Sequence, residues 1–432
     1  MKKIFLLLLS IVFFNENVSA VTLSEALLQA YNENPELNAE RENIKSSKED
    51  IKISRSEFLP SITLSGSKSQ EDTKKLTNRS GANSAITDVD PTTQSIDIQQ
   101  KIFQGFAGIA SMEKSKIGLN LADAKLLKTE QDILYKAVEA YSGLIFADEK
   151  LRINQNNIDL LERQVETDQA RLERGQITLA DLAQSESSLA GAQAKSIQAR
   201  NEVVITQLIY EKIIGPINDL STLDKKFDLD FEIPTDLVKA IKISKKNNPS
   251  LIISRLEFEQ SKKDLTIARS ELSPSATLSF NSSRTDDVSS TFNERDKETL
   301  KATVSWPIFN GGKNTALLNK SRNSSNRKKL LFDNITKTNE TNVVSAWSSL
   351  QSSESLLNSV KSQVKAAEVA NEGITAEYES GLGRSTLDVI QSSTILLSSK
   401  ISLADSERNY LLSQFRLLQS MGLLSSNYLK LQ

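Results

Sequence analysis

Apolar residues recur at every seventh position through most of the proline-free stretch from Phe106 to Glu173. Ala137, Leu144, Leu151, Ile158, Val165 and Leu172 form one row, and Ile133, Ala140, Ala147 and Leu161 form much of a second, broken at Asn154. A strict seven-residue spacing keeps such a seam facing a neighbouring helix. The pattern predicts one continuous helix of about 68 residues, on the order of 100 Å at 1.5 Å per residue, against the ~11–12 residues of an ordinary globular helix. Asn314 to Glu377 repeats the design, with Val343, Leu350, Leu357 and Val364 on one row and Ala346, Val360, Ala367 and Ile374 on the other.

The rest of the chain also reads as two copies. Thr22-Leu-Ser-Glu25 is a capping-box sequence that opens a short helix stopping near Asn34-Pro35, and Pro234-Thr235 opens its counterpart, stopping near Asn248-Pro249, 214 residues later. A second helix, about Glu36 to Phe58, ends at Pro60; its counterpart, about Ser250 to Leu272, ends at Pro274. After each proline the period drops to two. Ile62 and Leu64 alternate with Ser61, Thr63 and Ser65, and Ala276, Leu278 and Phe280 with Ser275, Thr277 and Ser279, which predicts strands. Polar loops, roughly 71–93 and 283–298, lead to returning strands. These carry Ile96, Ile98 and Ile102 on one face in the first copy, and Leu300, Ala302, Val304 and Trp306 in the second. The opposite faces carry Asp97, Lys101 and Lys301, which reads as a solvated wall.

Each half therefore holds a β-hairpin, about 61–103 and 275–309, with one apolar and one polar face. Such strands fit lipid on one side and water on the other. Four strands are too few for a barrel, since about eight is the smallest number that leaves room for side chains, so several chains must contribute. Gly175 and Gly381-Leu-Gly383 suit left-handed helix caps at the far ends of the rods. Returning helices then run from Thr178 and Ser385 to about Ile214 and Ser420, making two helical hairpins. The domain reading is a leader at 1–20, a first repeat at 21–214, a linker at 215–233, a second repeat at 234–422 and a C-terminal tail at 423–432.

The first residues join a basic pair, Lys2-Lys3, to an apolar run, Ile4 to Phe14, and a Val18-Ser-Ala20 ending, the form of a secretory signal peptide. No Cys follows Ala20, so a lipid anchor there is not expected. Removing Lys2, Lys3 and Glu16 takes the net charge from -2 to -3, which gives no basic excess for nucleic acid. With 0 Cys and 0 His, neither disulfides nor the common metal patterns are available, and no cofactor is expected. No paired nucleophile and base or phosphate-binding loop stands out, which argues against an enzyme.

Across the mature chain the sequence resembles the TolC-like outer-membrane efflux family. The duplication carries the likeness, together with Asn34-Pro35 and Asn248-Pro249, Pro307-Ile-Phe-Asn-Gly-Gly312, and the segment from Tyr378-Glu-Ser-Gly381 to Asp388-Val-Ile390. The resemblance implies a mainly α fold with a small β part: a homotrimer with a twelve-stranded outer-membrane β-barrel continued by a periplasmic α-helical barrel. It implies an exit duct for efflux or type I secretion, with a periplasmic adaptor (membrane fusion) protein, an inner-membrane transporter and outer-membrane lipid as partners. The alternative is a periplasmic coiled-coil scaffold without a channel. By the same resemblance, Asp181, Tyr378, Arg384 and Asp388 form a periplasmic gate, and Gly175, Gly381 and Gly383 mark adaptor-docking tips. Asp181 and Asp388 each sit three residues after a Thr or Ser, so helix capping is an equally open reading of both. The first copy has Phe106 where the second has Gly312, Gly383 lengthens the second tip by one residue, and Gln391 stands where many members have a second acidic residue.

Overall fold

The computed structural model describes residues 21–75, 77, 79–81, 88–217, 219–225, 231–289, 291–381 and 383–431. The expected leader lies outside them. The described chain runs α1 (Leu23–Glu33), α2 (Pro35–Ser56), β1 (Ser61–Lys68), β2 (Glu71–Asp72), β3 (Asp88–Val89), β4 (Thr92–Gln104), α3 (Ala107–Glu173) and α4 (Leu179–Ile213). It continues through α5 (Leu237–Asn247), α6 (Pro249–Ser270), β5 (Ser275–Ser289), β6 (Phe292–Ser305), α7 (Lys313–Glu379) and α8 (Thr386–Met421). α1 and α5 have 11 residues each, α2 and α6 have 22, and α3 and α7 have 67, so the repeat is visible element by element.

Side chains at the helix starts explain the local folding. Glu25 Oε2 accepts from the Thr22 amide at 2.8 Å while the Glu25 amide donates to Thr22 Oγ1, closing the expected capping box. Both Asn-Pro pairs begin helices as well as ending them. Asn34 Oδ1 accepts from the amides of Glu36 and Leu37, and Asn248 Oδ1 from those of Ser250 and Leu251. The proline between them fills the first helical position, where an N–H is not needed. The start expected at Pro234-Thr235 lies further on: α5 begins at Leu237, with Asp236 Oδ1 accepting from the Val238 amide.

Contacts divide the chain into two compact units, and each draws on both halves of the duplication. One unit comprises residues 1–38, 129–246 and 341–432. Its core joins Leu23 and Leu27 of α1, Ile133 to Ala147 of α3, Tyr210 of α4, Val343 of α7 and Phe415 of α8. The linker and tail enter this core too, through Leu223 and through Leu424, Leu429 and Leu431. The Tyr141 hydroxyl lies 2.8 Å from the carbonyl oxygens of Val21 and Asp224, anchoring Val21 and the linker to α3. Further along α3 the seam loosens, and Leu151, Ile158, Val165 and Leu172 are only half-buried.

The other unit comprises residues 39–128 and 247–340 and contains the sheet. Four strands pair antiparallel in the order β1-β4-β5-β6, with β1 and β6 at the edges, and β2 pairs β3 separately. One face aligns Ile62 with Ile98, Leu64 with Ile96, Ile98 with Phe280, Phe280 with Leu300, and Ala276 with Val304. This face is exposed: Leu64 and Val304 are 77% and 74% accessible. The sheet departs from the expected pattern in two ways. The loop expected at 283–298 is largely strand, because β5 and β6 stay paired out to Asp286 and Glu294. Backbone ladder bonds do not need apolar side chains, and Arg284 pairs across the strands with Glu294 at 2.8 Å. A bulge between Lys101 and Phe103 leaves Ile102 without a ladder partner, so Phe103, not Ile102, continues the apolar row opposite Ala276.

The entry into α3 is the most constrained turn. Gly105 has φ +57°, and a Cβ there would lie 2.6 Å from Ser273 Cβ and 2.9 Å from the Ser270 carbonyl oxygen. Phe106 follows with φ 72°, a left-handed conformation that a side chain disfavours, while the second copy has Gly311 and Gly312 in the same region.

Candidate functional site

The two helical hairpins end in glycine turns. After α3 the Gly175 amide donates to the Leu172 carbonyl and the Gln176 amide to the Arg171 carbonyl, the paired bonds of a Schellman cap, with Gly175 at φ +70°. After α7, Gly381 has φ +73° and Gly383 φ +82°; a Cβ on any of the three would meet open space. Their glycine identity is thus required by backbone direction and not by crowding.

Beside these turns, side chains from all four helices meet in one hydrogen-bonded knot around a carboxylate. Asp168 of α3 is fully buried. Its Oδ1 accepts from the Tyr378 hydroxyl of α7 at 2.5 Å and from Gln164 Nε2 at 3.0 Å, and its Oδ2 accepts from the Ser185 hydroxyl of α4 at 2.5 Å. The Tyr378 and Thr386 hydroxyls lie 3.1 Å apart, which brings in α8. Arg171 covers the Tyr378 ring at 4.0 Å and donates to the Tyr378 carbonyl. Burial, reinforced by the hydroxyl's bond to Asp168, pushes the Tyr378 phenol above its ordinary range, so it stays a proton donor at neutral pH.

Of the four residues named for the gate, only Tyr378 enters this knot. Thr178 and Asp181 form a capping box, with the Thr178 amide donating to Asp181 Oδ2 at 2.9 Å; Ser385 and Asp388 form another at the same distance. Those backbone amides hold both carboxyls below the usual range. Arg384 pairs with Glu377 at 2.6 Å. Within one protomer the knot and these three residues are separate arrangements. Asp168, Ser185, Thr386, Arg171 and Glu377 went unrecognised in the sequence. A signal existed for Asp168: it continues the row of Ala147, Asn154 and Leu161, so it places a carboxylate on the buried seam. Tyr378 extends the row of Leu357, Val364 and Asn371 in the same way.

Among the described residues no group of three or more His, Cys, Asp and Glu side chains could hold a metal, and no helix is long and apolar enough to cross a membrane. A family model described as outer membrane efflux protein matches residues 26–215 and 240–423. The chain belongs to the outer membrane efflux protein family. Members of this family are outer-membrane channels, and this chain is an exit duct for efflux or type I secretion. Channels of the family are homotrimers that work with adaptors and inner-membrane transporters. The chain is 25% identical over 413 residues to outer membrane efflux protein BepC of Brucella suis biovar 1, covering 95% of this chain and 87% of that one. To alkaline protease secretion protein AprF of Pseudomonas aeruginosa it is 22% identical over 434 residues, covering 99% and 89%. In fold it is similar to the Campylobacter jejuni CmeC outer membrane channel, with a TM-score of 0.81 at 15% identity over 93% of this chain and 85% of that one.

Proposed function

We propose that three copies of this chain close a twelve-stranded barrel, and that the Asp168 knot holds each copy's two helical hairpins together at a restrained periplasmic entrance. The observation that supports this reading most directly is the four-stranded sheet. It has one exposed apolar face and two edge strands, β1 and β6, whose unpaired backbone groups would be untenable in lipid unless a neighbouring copy completed the ladder. Asp388 then contributes a ring of three carboxylates near the axis, which attracts cations and repels anions. Asp181 and Arg384, bonded only locally within one protomer, meet the adjacent copy and supply the contacts between protomers. The tips around Gly175, Gly381 and Gly383 receive a helical hairpin of a periplasmic adaptor, which couples the duct to an inner-membrane transporter.

The architecture is tested by the mass of the full-length protein in lipid nanodiscs. Three chains per particle is the expected result. A stable monomer would overturn the barrel, and with it the gate and the docking site.

A further inference from the structure

Away from the tip knot, the unit formed by residues 1–38, 129–246 and 341–432 contains a cleft of about 450 Å³ between α3, α7 and α8. That volume falls within the range of small-molecule sites. Ile145, Phe146, Ile153, Leu396 and Leu397 give it an apolar wall, while its charged lining is unevenly matched. Arg152 hydrogen-bonds Glu149, Lys225 reaches the same carboxylate at 3.1 Å, and Lys400 pairs with Glu368 at 3.2 Å.

The fourth cation is Arg408. Its Nε is shielded from solvent and has no acceptor among the described residues. The guanidinium lies against α3 at Gly143, with a terminal nitrogen and Nε at ordinary van der Waals distance, 3.8 and 3.9 Å, from where a Cβ would stand. Arginine cannot shed its proton, and a shielded donor without an acceptor is destabilising. The remaining carboxylate of the lining, Glu407, is exposed. The lining thus combines an apolar wall, three matched cations and one under-bonded guanidinium.

We propose that this cleft binds a small amphiphilic anion, whose carboxylate or sulfonate accepts from the terminal nitrogens of Arg408 while its apolar body lies on Ile145, Phe146, Ile153, Leu396 and Leu397. This goes beyond the duct and its gate, since it assigns a ligand class to a place in the helical wall and does not depend on the state of the tips.

The test uses the full-length protein in phosphatidylcholine nanodiscs, with 2-naphthoate as the probe and the neutral 2-naphthalenemethanol as its uncharged counterpart, both followed by equilibrium dialysis against empty nanodiscs. Naphthoate is expected to bind saturably and at least tenfold more tightly than the alcohol, as a charge-assisted bond to Arg408 implies. Arg408→Leu should weaken naphthoate by at least tenfold and leave the alcohol within twofold. Because the natural chain has 0 Cys, Asn156→Cys at the exposed part of the lining offers a unique attachment point, and a bulky maleimide there should abolish naphthoate binding. Equal affinity for acid and alcohol, undiminished naphthoate binding by Arg408→Leu or by the labelled Asn156→Cys protein, or no saturable binding would each overturn the proposal. Should Arg408→Leu fail to assemble, the labelled Asn156→Cys protein, which keeps Arg408, decides the matter alone.

Discussion

Replacing Tyr378 by Phe removes one hydroxyl and leaves its surroundings in place. The ring remains under Arg171, whose bond to the residue 378 carbonyl is a main-chain contact and survives. Lost are the 2.5 Å bond to Asp168 Oδ1 and the 3.1 Å contact with Thr386. Asp168, fully buried, keeps only Gln164 and Ser185 as donors. A hydrogen bond to a charged group contributes about 1.5–3 kcal/mol, and about 2 kcal/mol corresponds to roughly a 30-fold shift in an equilibrium. Tyr378→Phe should therefore shift each protomer's tip toward its loosened arrangement by about that factor, leaving assembly intact because the sheet and the Tyr141 core lie elsewhere. In planar bilayers the variant should show a larger mean single-channel conductance or more frequent opening. Asp168→Ala, which removes the acceptor outright, should act in the same direction, and the double variant should be less than additive, since both remove the same bond. Unchanged conductance together with unchanged amide exchange at residues 378–388 would refute the assignment of the knot as the restraint.

Three further outcomes follow from features described above. Phe106→Gly should stabilise the protein by about 1 kcal/mol in thermal unfolding by releasing a left-handed phenylalanine, whereas Gly105→Ala should destabilise it well beyond that, because the new Cβ meets Ser273 at 2.6 Å. Asp388→Ala should reduce cation selectivity of the channel. The Ser385 amide lowers the Asp388 pKa from its ordinary 3.8, so in the parent the carboxylate stays charged, and selectivity persists, as the pH falls to that value; selectivity is lost only below it, and loss already at pH 5 would contradict the assignment. Gly381→Trp should block export while Gly381→Ala, which imposes the same backbone strain without the bulk, should largely preserve it; equal loss in both would place the effect in the turn and not in docking.

Much of the fold is written in spacing. Seven-residue rows predict α3 and α7 almost to the residue, and the change to a two-residue period marks β1, the start of β5 and the end of β6. Where side chains do not dictate structure, the pattern is silent. The outer halves of β5 and β6 are held by backbone ladder bonds between polar residues, and the bulge at Ile102 depends on the pairing of β4 with β5, which no single strand reveals. The tip knot was legible only in part. Asp168 and Tyr378 both continue seam rows, which signals burial, but their partnership spans 210 positions and depends on two helices meeting. Asp181 and Asp388 illustrate the converse. Their local motif is fully explained by capping, and any additional role requires a neighbouring copy of the chain.

The core around Tyr141 also bears on how such a protein is made. Leu23 and Leu27 pack in the same cluster as Leu429 and Leu431, more than 400 residues later. Neither half of the duplicated chain can bury this surface alone, and contacts of such high sequence separation form late and slowly. Leu424, Leu429 and Leu431 therefore complete a core that Leu23 and Leu27 begin, and that surface stays exposed until both ends of the cluster are present.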